Sequence, residues 1–290
     1  MPFKTNLETT RCPALSGFGV IAVEGRDAAS FLQSQSMNDV AALAPGRWQW
    51  NGLLTPKGRV IALFALACVA DGRFILVLPD GSPAELVAHL RRFVFRSKVT
   101  LGEAPAWVVA AGPAAATGDP GAIAGDPDHG FALDWSGEGG PRWLWLLPPS
   151  HPALAPADDA TDVAWRAMDL AHGLPRLAGE QREAFTPQML SLERLGAFSL
   201  KKGCYPGQEI VARTHYLGQA KRGLVRLHGT GLRAGMPVEA GGQSVGSLAC
   251  TDAAGAQALA VMTLDAGDDL ACGGLPCRRG DLLPGLARTR

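Results

Sequence analysis

The sequence has no surplus of either charge: 27 lysines and arginines face 27 aspartates and glutamates over 290 residues. A net charge of zero excludes a chain-wide electrostatic footprint for nucleic acid or an anionic membrane, so any charge argument must be local. Long apolar runs are also missing. The longest, Val60 to Ala70, stops at Asp71, well short of the roughly 20 residues that a spanning helix needs. The opening stretch MPFKTNLETTR has Asn6, Glu8, Thr9 and Thr10 where a secretory leader would be apolar, so a cytoplasmic location with no membrane contact is expected. Cysteine is scarce and scattered, at Cys12, Cys68, Cys204, Cys250, Cys272 and Cys277, which excludes a disulfide framework and reads as free thiols in a reducing compartment. Cys272 and Cys277 have no second pair nearby to complete a closed zinc or cluster site, and no metal is expected.

Glycine and proline are plentiful instead, at 36 and 21 residues, and favour turns and short elements over long helices. A chain of this length usually divides its core among two or three parts. Two β-rich runs, VIALFALACV and RFILVLP, are joined across Asp71-Gly72 and predict a hairpin. The first run is apolar at every position and should be a central strand covered on both faces. Asp27 is placed to cap a short helix through Phe31, Leu32 and Gln35. Ser82-Pro83-Ala84-Glu85 opens another through Leu86, Leu90, Phe93 and Val94. At the basic end of that helix, Arg91, Arg92, Arg96 and Lys98 suit the helix dipole or face an anion.

From Asp119 to Asp162 the chain carries eight acids against Arg142 alone, around the aromatic strand RWLWLLPP. This reads as a second α+β layer with acidic solvated loops. Thr161 is expected to cap a helix through Trp165, Met168 and Leu170 that stops at Gly173, and a short helical piece is expected at Gln188 to Leu195. After Lys221, short alternating runs punctuated by glycine predict a small antiparallel barrel or sandwich. Trp48 and Trp50 are either core or a wall for a flat ring.

The stretch KKGCYPGQEIVARTHYLG, residues 201–218, stands apart from all of this. Pro206-Gly207 marks a turn, and Gln208 onward reads as a helix with Glu209 and Arg213 four apart, in the favourable order for an ion pair. Ile210, Val211 and Thr214 would pack. Lys201, Lys202 and Cys204 fall in the loop that feeds the helix N-terminus, where unpaired N–H groups attract anions and a thiol is activated and partly exposed. Seven basic residues and one acid lie between Ser199 and Gly235. Cys204 is therefore a candidate nucleophile, redox thiol or metal ligand, set against an ordinary buried thiol on a solvated face. His215 either faces the same pocket or is hydrogen-bonded locally.

This segment, preceded by TPQMLSLERLGAFSLKKG and with FLQSQSMNDV and LLTPKGRV upstream, resembles the signature of the YgfZ family. These are folate-binding relatives of the glycine-cleavage T-protein that assist iron-sulfur enzymes and tRNA modification. The resemblance covers nearly the whole chain and implies an α+β, T-protein-like fold. Two α+β portions, residues 1–110 and 111–218, would surround a central cavity and be followed by a C-terminal antiparallel β-barrel at 219–290. It implies tetrahydrofolate or a derivative as cofactor, with Glu209 matching the glutamate that grips the pterin. Lys202, Tyr205, Gln208 and Arg213 are signature positions, and Asn38 and Asp39 border the cavity. Cys204 would be the essential thiol, one that ligates iron, resolves a mixed disulfide or lines the cavity. The implied partners are iron-sulfur carrier or client proteins, and the implied state is a monomer. A carboxylate can receive the N–H edge of a pterin, and cations can meet a glutamyl tail.

One departure bears on enzymology. T-proteins carry an Asp-Asp pair where GRVIALF has Ala62 and Leu63, and neither of these can handle a proton, which disfavours ordinary aminomethyl transfer. A folate-dependent one-carbon transferase of another substrate, and a module that binds tRNA directly, are the alternative readings. Against the second, the sequence has no aromatic strand motif, KH-type loop or zinc knuckle.

Overall fold

In the computed structural model, which describes residues 7, 10–115, 117–218 and 221–288, alternation of apolar side chains explains most of the architecture. Most of the polar N-terminal stretch, residues 1–6, 8 and 9, lies outside the described residues, as do residues 219 and 220 at the expected boundary before the barrel. The strand Val60–Ala70 is an inner strand of a five-stranded antiparallel sheet, second from one edge, between the edge strand Arg47–Leu54 and the middle strand Arg73–Leu78, with Gly19–Glu24 and Thr100–Glu103 beyond. Its even residues Phe64, Leu66 and Cys68 face one buried cluster, and its odd residues Leu63, Ala65, Ala67 and Val69 face another. Both faces are therefore dry, as a strand apolar at every position requires. The Asp71-Gly72 link to the next strand is tight, with Gly72 at φ +68.

Helices α1 (Ala28–Gln35) and α2 (Pro83–Arg91) cover the even face through Phe31, Leu32, Leu86 and Leu90. Ser82 caps α2 as its sequence predicts, accepting from the Glu85 N–H at 3.3 Å, but the helix ends before Phe93 and Val94. Asp27 does stand at the start of α1, yet its carboxylate accepts from the backbone N–H of Lys98 at 2.7 Å instead of capping. A long-range tie has displaced the local one.

The odd face packs on a second antiparallel sheet, in the order Val108–Gly112, Trp143–Leu147, Gly130–Asp134, Ile123–Asp126. The division expected at residue 110 thus falls inside a strand of this sheet. Cys12–Pro13 also pairs in parallel with Leu154–Ala155, which joins the start of the chain to the middle portion. Helix α3 (Asp159–Ala171) begins at Asp158, whose carboxylate accepts from the Thr161 N–H at 2.9 Å; Thr161 lies in the first turn and is not the cap. The helix stops before Gly173, at φ +67. The piece expected at 188–195 narrows to a 3-10 turn at Leu192–Leu195.

Six strands from Arg222 to Gly280 close into an antiparallel barrel. Along Gln257–Thr263, Ala258, Ala260 and Met262 fill the barrel while Leu259 and Val261 reach outward into the core shared with the two sheets. The period of two thereby seats the barrel on the rest of the molecule. Cys272 and Cys277 are buried in the barrel with their sulfurs 3.3 Å apart. Among the described residues no helix is long and apolar enough to cross a membrane, and no group of three or more His, Cys, Asp or Glu could hold a metal.

Candidate functional site

Two of the motifs that stand out in the sequence meet in space. Gly207, at φ +80, opens helix α4 (Gln208–Leu217), and a side chain there would come within 2.5 Å of the Thr55 carbonyl and 2.8 Å of the Gly58 Cα. Gly58, at φ +69, is itself capped by Ile210, whose Cβ lies 2.8 Å from where its own Cβ would be. The Pro206-Gly207 turn and the TPKG turn therefore cross backbone to backbone, an approach that glycine on both sides allows.

The loop before α4 is held from below by Lys202. Its ammonium donates to the carbonyls of Gln33, Ser36 and Asn38 at the end of α1, and sits 4.8 Å from the ring centre of Tyr205. Only 7% of the residue is exposed. Burial lowers the Lys202 pKa from 10.5 to about 8, partly offset by the charge of Asp39. Tyr205 is buried as well, which pushes its phenol up to about 12. Gln208 closes the loop by donating to the Lys202 carbonyl at 3.2 Å. Asn38 bridges three regions. Its amide donates to the Trp50 and Gly196 carbonyls, both at 2.8 Å, its oxygen accepts from the Asp39 N–H, and its own N–H reaches the Asn51 side chain. Asp39 accepts from the Gln33 amide at 3.1 Å.

Lys202, Tyr205, Gln208, Asn38 and Asp39 thus form one cluster at the end of α1. Cys204, Glu209 and Arg213 stand outside it, exposed to solvent. The expected Glu209–Arg213 ion pair is not formed, and of the three residues expected to pack, Val211 is fully buried while Ile210 remains 37% exposed. His215 is exposed beside the ring of Tyr216. Trp48 and Trp50 are core: they pack with Trp135, and their indoles donate to the Pro120 and Leu286 carbonyls.

Elsewhere, a cavity of about 480 Å³ opens between α3 and the barrel turn at residues 252–254, lined also by Ser16, Asp162, Val163, Arg166 and Arg176. Arg176 lies 4.8 Å over the Phe18 ring and donates twice to Asp169. Arg166 donates to the Thr251 carbonyl through two nitrogens, and its third is buried without a partner. Both arginines sit in or just after the ordinary amphipathic helix α3, and no local sequence pattern marks them as site residues. Neither Glu209 nor Cys204 lines this cavity. Ala62 and Leu63 line a separate enclosed space of about 20 Å³ with Pro175, Leu177 and Arg182, which has room for about one water.

Comparison with known proteins gives this arrangement a context. Residues 13–117 match the family model described as the GCVT N-terminal domain. A tRNA-modifying protein YgfZ of Vibrio vulnificus is 31% identical over 228 residues, covering 74% of this chain and 69% of that protein. Its counterpart of the same name in Colwellia psychrerythraea is 27% identical over 245 residues, covering 79% and 74%. The crystal structure of the glycine cleavage system aminomethyltransferase T from Bartonella henselae aligns with a TM-score of 0.71 over 97% of this chain and 88% of that one, at 18% identity, which shows a shared fold. With the signature segment, both sheets and the closed barrel in place, the chain belongs to the YgfZ family and has the T-protein-like α+β fold.

Proposed function

We propose that this chain is a folate-binding accessory protein that supports iron-sulfur cluster assembly or repair and, through iron-sulfur enzymes, tRNA modification. It would act as a cytoplasmic monomer with iron-sulfur carrier or client proteins. Family membership is the main support, and the division of labour within residues 201–213 gives it physical content. Lys202, Tyr205, Gln208, Asn38 and Asp39 bond mainly to one another and to neighbouring backbone, so they fix the shape of the wall. Glu209, Arg213 and Cys204 keep their functional groups in solvent, where a ligand or a partner protein can reach them. In this reading Glu209 receives the pterin edge, Arg213 meets a carboxylate, and Cys204 is the working thiol. Bound tetrahydrofolate would supply one-carbon or redox chemistry.

A second reading of where the folate sits rests on the cavity beside Arg166 and Arg176, whose volume falls in the range of about 300–1,000 Å³ usual for small-molecule sites. Aminomethyl transfer is disfavoured, because Ala62 and Leu63 present only hydrocarbon beside a space that holds about one water.

Calorimetric titration with tetrahydrofolate, run on the wild type, Glu209→Ala and Arg166→Gln, separates the readings. Loss of affinity in Glu209→Ala alone supports the signature helix, and loss in Arg166→Gln alone moves the ligand to the cavity. No saturable binding to the wild type refutes the folate reading. Cys204→Ser with binding intact and client-enzyme activity lost would support the thiol's role.

A further inference from the structure

Helix α2 ends at Arg91 and passes into a loop, and RRFVFRSK, residues 91–98, holds four cations and no acid in eight residues. The loop is anchored along its length. Phe93 and Val94 pack against the core beneath α1 and α2, and the N–H groups of Phe93, Val94 and Phe95 bond to the Leu90, Arg91 and Phe93 carbonyls. At the far end, Lys98 exchanges hydrogen bonds with Asp27. Its carbonyl crosses so close to Gly25, at φ +135, that a Cβ there would lie 2.2 Å away. Arg91 ties back to the Leu101 carbonyl. Yet between these anchors Phe95 stands 85% exposed, the most exposed large apolar side chain among the described residues. Arg92, Arg96 and Lys98 are exposed beside it and form no ion pair among the described residues.

A held loop that presents one bare ring among unpaired cations suits a ligand with alternating flat faces and negative charges. We propose that residues 91–98 bind single-stranded nucleic acid, with a base stacked on Phe95 and phosphates met by Arg92, Arg96 and Lys98. An anchor for a protein partner would gather further apolar surface around the ring, whereas the exposed neighbours here are cations. The proposal is independent of the folate reading, since no residue of the signature segment takes part.

The test is fluorescence anisotropy of a labelled twelve-nucleotide oligouridine against the full chain, at several salt concentrations. Binding by the wild type should weaken about 5- to 20-fold in Phe95→Ala. Three phosphate contacts predict a slope of about −2 in log affinity against log salt, reduced by about 0.7 in Arg96→Ala. The 85% exposure of Phe95 leaves the fold of the variant intact, which an unchanged melting temperature verifies. Failure of the oligonucleotide to bind, or equal binding by Phe95→Ala, overturns the proposal. So does binding to polyglutamate or phosphatidylserine vesicles that matches or exceeds binding to the oligonucleotide, which would reassign the loop to an acidic protein or a membrane surface.

Discussion

Two buried charges hold this molecule together at two junctions, and they are neutralised differently. Asp169, on α3, is fully buried between Arg142, 2.5 Å away, and Arg176, 2.7 Å away. Arg142 also lies 4.7 Å over the Trp165 ring and donates to the Trp135 and Trp165 carbonyls. Full opposite charge meets full charge there, and the second sheet, α3 and the segment at 176 are pinned together. Lys202, at the junction of α1 and the signature loop, meets the partial charges of three carbonyls and the face of the Tyr205 ring, with Asp39 contributing at longer range. The first arrangement resists rearrangement. The second leaves an amine that titrates not far above neutrality, beside the segment that the family resemblance marks as functional.

The largest expected effect is at the triad. Asp169→Ala leaves two buried guanidinium groups without their anion and should cost about 3–5 kcal/mol. Equilibrium urea unfolding measures it, and a loss below about 1 kcal/mol would mean that water already reaches the arginines.

Removing the other charge should cost less. Lys202→Met keeps the apolar stem and strips three carbonyls of a donor, for an expected loss of about 1–3 kcal/mol at pH 7. The pH dependence is more telling. The folded pKa, about 8, lies below the unfolded 10.5, so between those values the unfolded chain holds more proton than the folded one. Stability contributed by Lys202 is therefore flat below pH 8 and rises from there toward 10.5. Tyr205 acts in the opposite sense, because its folded pKa of about 12 lies above the ordinary 10, and its contribution falls above pH 10. Unfolding both proteins at pH 7, 8, 9 and 10 cancels the tyrosine to first order. The wild type should gain on Lys202→Met from pH 8 upward, and parallel curves would show that the amine is solvated.

Neither junction was visible in the sequence, for a physical reason. Asp169 and Arg142 are 27 residues apart, and no local pattern pairs them. Lys201 and Lys202 carry the same local signal, in the loop that feeds α4, while the fold exposes the first and buries the second. Elements fixed by local chemistry were legible: the doubly apolar strand Val60–Ala70, the Ser82 cap, helix α4 and the alternating runs of the barrel. Local signals failed where a distant group competed, as at Asp27, drawn to Lys98, or where a neighbour served better, as Asp158 does in place of Thr161. For the site, the resemblance supplied a list of residues, but the sequence held no sign that five of them would face inward and three outward.

That division yields the smallest expected effect, and the most useful one for function. Glu209 is exposed and forms no ion pair with Arg213, so Glu209→Ala should change stability by less than about 0.5 kcal/mol. Urea unfolding at pH 7 checks this before any ligand is added. With the fold unchanged, loss of tetrahydrofolate affinity in this variant would have to come from the lost carboxylate itself. A drop of 2 kcal/mol would instead show that Glu209 supports α4 as Lys202 supports the loop below it. In that event Glu209 belongs with the inward-facing group, and Cys204 and Arg213 are left as the outward-facing residues of the signature.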